Sequence, residues 1–74
     1  MKIIPFPTRR RPDFHLQDEG AIAILFPRTR VAADWVAANL ASDALTWAGG
    51  IVIEHRFVAD ILTGVHDAGL AVRR

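Results

Sequence analysis

The stretch from Trp47 to Gly69 constrains the fold more than any other part of the chain. Gly49-Gly50 interrupts the pattern and permits backbone angles that other residues avoid. Ile51-Val52-Ile53 follows, a β-branched triplet of the kind a central strand prefers. From Phe57 the rhythm changes. Phe57, Val58, Ile61, Leu62 and Val65 share one helical face, with Asp60, Thr63 and Asp67 on the other. Gly69 stands where a helix C-terminal glycine stands, and apolar Leu70 comes next. The reading is a short buried strand running directly into an amphipathic helix.

A chain of 74 residues forms one domain with a limited core. It has no cysteine, so neither a disulfide nor a thiolate metal site can staple it. Efficient packing or oligomerisation must supply the stability. The apolar runs are too short to span a bilayer, and Met1 to Pro12 lacks the apolar core of a signal peptide. The expected location is cytoplasmic, with no membrane partner.

Charge divides the chain. Residues 1–12 carry Lys2, Arg9, Arg10 and Arg11, and Arg73 and Arg74 close the sequence. Residues 13–72 hold three arginines against eight carboxylates, a formal −5 within an overall +1. An acidic body argues against a nucleic-acid-binding face. Arg9, Arg10 and Arg11 are the candidates for phosphate contact, through the arm alone, against the plainer reading of a solvated tail. The organisation expected is an irregular basic arm over 1–12 and a single small α/β domain over 13–74.

Lys2-Ile3-Ile4 could form a short edge strand before Pro5, Pro7 and Pro12 stop it. Residues 14–26 read as a hairpin about Asp18-Glu19-Gly20, a three-residue connection with glycine last. That loop pairs Gln17 with Ala21, Leu16 with Ile22 and His15 with Ala23. Phe14, Leu16, Ile22, Ile24 and Phe26 then form the core face, and His15, Gln17, Ala21, Ala23 and Leu25 the other. Thr29 is the N-cap expected for a helix over about 30–41, with Val31, Ala32, Trp35, Val36 and Leu40 as its apolar positions. Asn39 falls near that stripe. Residues 42–46 connect to the strand–helix unit, and Leu70-Ala71-Val72 could add a last strand.

The fold expected is α+β or α/β: a three- to four-stranded mixed sheet, an N-terminal hairpin followed by βαβα, with two helices on one face. The Ile51–Ile53 strand is expected to lie parallel after a crossover helix. The uncovered face should carry His15, Gln17, Ala23, Leu25, Val52 and Glu54, with Trp47 as an exposed anchor before the glycines. These seven residues are the candidate protein-binding site.

Residue patterns for catalysis are missing. Gly49-Gly50 lacks the spacing and lysine of a phosphate loop. His15, His55 and His66 lack metal-pair spacing, and no hydroxyl sits in a nucleophile elbow. No catalytic residue, metal or cofactor is expected, and an enzyme is not the reading.

The run Trp47-Ala-Gly-Gly-Ile-Val-Ile-Glu-His-Arg-Phe-Val-Ala-Asp-Ile-Leu-Thr-Gly, ending in Asp67-Ala-Gly-Leu, resembles a family of short proteins from proteobacteria and their mobile elements. The shared pattern is aromatic–glycine–strand–Glu-x-Arg–aromatic-x-x-Asp, and Trp35 on the upstream helix fits it too. The likeness covers about residues 21–72. It departs at His55, where proline is usual, and at Ala68, where a more polar residue is common. That family carries no assigned activity, so the resemblance implies a fold unit and a genomic setting. Small mobile-element proteins often occupy a host protein's surface, as anti-CRISPR proteins do, and by that analogy the chain is an inhibitor or adaptor. Three functions follow: a protein-binding module, a self-associating homodimer, or a nucleic-acid accessory factor using the arm.

Overall fold

The computed structural model describes residues 12–74. The suggested edge strand at residues 2–4 and Arg9, Arg10 and Arg11 therefore lie outside the described residues. The order of elements is β1 (Phe14–Asp18), β2 (Ile22–Pro27), α1 (Arg30–Asn39), β3 (Thr46–Trp47), β4 (Gly50–Glu54), a 3-10 turn (His55–Phe57), α2 (Val58–Asp67) and β5 (Val72–Arg73). The strands form one five-stranded sheet in the order β3-β4-β2-β1-β5. That is more strands than the three to four expected. β5 is the last strand suggested at Leu70-Ala71-Val72, moved to Val72–Arg73, and β3 is the additional one; each is two residues and sits at an edge.

β4 runs antiparallel to β2, and β3 antiparallel to β4. The strand at 51–53, expected to lie parallel, is therefore antiparallel, because the crossover through α1 from β2 delivers β3 and the chain turns back before β4. The turn at Ala48-Gly49 then sends the chain back along β4. Both turn residues have positive φ, 53° and 88°, as a tight two-residue hairpin turn requires. A second crossover through α2 brings in β5 parallel to β1.

The β1–β2 hairpin also differs in register. Leu16 pairs with Leu25 and Gln17 with Ile24, three residues away from the expected pairing. The connection is the two-residue Gly20-Ala21, with Gly20 at φ 90° and the Glu19 N–H bonded to the Ile22 carbonyl. Glycine at the first central position suits that turn. The Asp18 Oδ1 accepts the Gly20 N–H at 2.9 Å and braces it. Side chains alternate with a period of two, so an odd shift turns the whole of β2 over. Ala23 and Leu25, expected on the open face, point into the core instead, 1% and 0% exposed.

The core gathers on one face of the sheet. Phe14, Leu16, Ala23, Leu25, Ile51 and Ile53 supply the sheet side, and Ala32, Val58 and Val65 the helix side. Trp35 packs edge-on against Phe14 at 6.0 Å, and its ring lies over Gly64 of α2. Val31, expected in the apolar stripe of α1, is exposed. Phe57, expected in the stripe of α2, lies in the 3-10 turn and is also exposed. Asn39 stays outside the core and donates from Nδ2 to the Trp35 carbonyl. No helix of the described residues is long and apolar enough to cross a membrane.

Two caps fix where the helices begin and end. The Thr29 Oγ1 accepts the Ala32 N–H at 3.1 Å, as an N-cap should, and donates to the Asp13 Oδ1 at 3.0 Å. The Asp13 Oδ2 accepts the Ala71 N–H, so one buried carboxylate ties the start of α1 to the entry of β5. At the other end of α2, the Leu70 N–H reaches the Val65 carbonyl and the Gly69 N–H reaches that of His66. This is the paired-bond cap that positive φ at Gly69 permits.

Candidate interaction face

The register of the five strands sorts the opposite face of the sheet into rows. The first row runs Arg73, His15, Phe26, Gly50, Trp47 from β5 to β3. A Cβ placed on Gly50 would fall 2.5 Å from Ile24 and 2.8 Å from the Phe26 ring, which sets Gly50 beside Phe26 in that row. The second row is Gln17, Ile24 and Val52, extended by Leu45, whose carbonyl accepts the Val52 N–H at 2.8 Å. The third is Glu19, Ile22 and Glu54.

The rows differ in chemistry. Arg28 adds to the first by lying over the Phe26 ring at 5.9 Å, with His15 tilted against the same ring. That end of the face is basic and aromatic. The second row is neutral and mainly aliphatic. The third carries Glu19 and Glu54. Arg56 donates to Glu54 at 2.9 Å, whereas Glu19 accepts from the Gln17 Nε2 and, among the described residues, has no arginine beside it.

A groove of about 520 Å³ lies across the second and third rows, floored by Ile22, Ile24 and Val52. Leu45 and Trp47 form its wall and are 69% and 58% exposed. Two large apolar side chains so open to water, beside an aliphatic floor, make a continuous apolar patch, and such patches mark interaction sites.

Of the sequence-chosen residues, the structure brings His15, Gln17, Trp47, Val52 and Glu54 together on this face. It removes Ala23 and Leu25 to the core. It adds Ile22, Ile24, Phe26, Leu45, Glu19, Arg28 and Arg73. The hairpin register is the signal that could have found most of them, since it alone decides which half of β2 faces out.

Titratable groups gather little elsewhere. Asp18, on the helix side of β1, is held below its usual carboxylate value by the Gly20 N–H and then by His55, whose Nε2 lies 3.6 Å away. Among the described residues no group of three or more His, Cys, Asp or Glu side chains could hold a metal ion. The chain matches no family model, no curated protein and no solved structure.

Proposed function

We propose that the protein is a non-enzymatic binding module that docks another protein on the sheet face opposite its helices. The particular role that fits a small domain of this kind is that of an inhibitor or adaptor, which acts by covering its partner's surface. The observation that carries the reading is the apolar groove walled by Leu45 and Trp47. Neither side chain belongs to the core cluster, so the sheet behind the groove packs without them. Trp47 is the anchor: a large aromatic side chain at the rim of a groove contributes more to association than its neighbours.

The test is a paired capture from a lysate of the source cells treated with nuclease. The wild-type chain should retain one protein in stoichiometric amount. Leu45→Ser and Trp47→Ala should each lose it while keeping the wild-type circular dichroism spectrum. A protein retained equally by all three chains refutes a binding role for this face. Retention that depends on residues 1–11 and weakens steeply with salt would instead favour the nucleic-acid reading of the arginine arm.

A further inference from the structure

The open face is polarised in a way that fits itself. Its first row is basic, its middle row aliphatic, and its third row carries Glu19. A two-fold axis lying along the middle row, across the strands, lays one face on another copy and exchanges the outer rows. His15 and Arg73 of one chain then stand over Glu19 of the second, and the reverse contact repeats by symmetry. Ile24, Val52 and Leu45 lie on the axis row; Ile24 is already buried at 4% exposure, so Val52 and Leu45 are the members that meet their own counterparts. Arg73 and Glu19 sit on or beside adjacent strands, about 4.8 Å apart laterally, within reach of an arginine side chain.

We infer that this face is the interface of a symmetric homodimer, in which two five-stranded sheets stack as a sandwich with the helices outside. The inference rests on the reading that the face docks protein, and it places a second copy of this chain there in the free protein, which the target of an inhibitor or adaptor would displace. Sheets stack about 10 Å apart with side chains interleaved, and half-exposed residues such as Ile22, Val52 and Phe26 are of the size that fills such a gap. The opposite rotation, about an axis along β2, would keep each row over its own but exchange the edges, setting Arg73 over Trp47 and Glu19 over the Glu54 position. Arg73 would then meet no carboxylate and two carboxylates would face each other, so the charges favour the axis across the strands. A 74-residue chain without cysteine also gains from this route to stability.

Sedimentation velocity from micromolar to millimolar concentration tests the proposal on the full chain. The expected species is twice 8.2 kDa. Leu45→Glu should sediment as a folded monomer. Arg73→Glu and Glu19→Arg should each weaken the dimer about tenfold, and the two together should return it to within about threefold of wild type. A monomer at every concentration overturns the homodimer, whether or not another protein takes the face. It leaves the docking reading to the paired capture above. A dimer indifferent to Leu45→Glu places the interface elsewhere and overturns the proposal. A double variant weaker than either single one overturns the orientation.

Discussion

Leu25→Ala and Leu45→Ala remove the same atoms from opposite faces of the sheet, and the fold predicts very different costs. Leu25 is fully buried between Leu16, Ile51 and the helices. Truncation removes roughly three methylene equivalents at about 0.8 kcal/mol each, and the unfilled cavity brings the loss to about 3–5 kcal/mol. A domain of this size has a total stability on the order of 4–10 kcal/mol. The variant should therefore lose at least about a third of the domain's stability. Leu45 is 69% exposed, and its truncation should change monomer stability by no more than about 0.5 kcal/mol. Urea unfolding followed by circular dichroism measures both. It should be done at one low protein concentration, because association through the open face would add a concentration-dependent term. The pair tests the hairpin register directly. Had β1 and β2 paired three residues away, Leu25 would face solvent. A loss below about 1 kcal/mol for Leu25→Ala, or an equal loss for Leu45→Ala, would refute the assignment of faces.

Three further outcomes follow from local geometry. Thr29→Ala removes the cap on Ala32 and a donor to Asp13, and should cost about 1–2 kcal/mol in thermal unfolding, with Thr29→Ser nearer to wild type. Ala48 holds a left-handed conformation at φ 53°, so Ala48→Asn should raise the midpoint of thermal unfolding by the equivalent of about 0.5–1 kcal/mol; no gain would count against the tight turn between β3 and β4. Asp18 should titrate below its ordinary value of 3.8 in a carbon-detected NMR titration. Its folded value is depressed, so its contribution to stability is present above the unfolded value and is lost as pH falls through the folded one; the Asp18→Asn variant should lack that acid-side dependence.

Periodicity made the helices and the strand at 51–53 legible, because each pattern had a single solution. Thr29 and Gly69 were legible for the same reason, since cap chemistry is local. β2 was not. Ile22-Ala-Ile-Leu-Phe26 is apolar throughout, so both of its faces read as core, and only the turn could decide between them. Asp18-Glu19-Gly20 and Gly20-Ala21 both place glycine where a known turn needs it. The Asp18 bond to the Gly20 N–H favours the shorter turn, and that bond is visible only in the folded chain. β3 was hidden by its length. Two residues carry no alternation, and the positive φ of Ala48 is not written in its residue type. The candidate site inherited the first error alone: His15, Gln17, Trp47, Val52 and Glu54 share the face away from the helices, and Ala23 and Leu25 on β2 point the other way.

The same small features bear on the proposed docking. A sheet can associate through an edge or through a face. β3 and β5 expose edges of two residues each, and beyond them Leu16, Gln17 and Asp18 of β1 and Ile53 and Glu54 of β4 have no neighbouring strand on that side among the described residues, so each edge is a short and stepped template. One face is already covered by α1 and α2. The remaining face spans five strands, and the short edges contribute to it what they do not offer sideways: β5 sets Arg73 at one margin and β3 sets Trp47 at the other. Lengthening either edge would add backbone pairing sites without enlarging the apolar groove. Short, stepped edges disfavour lateral strand addition, and the proposed docking accordingly uses the face where charge and shape specify orientation.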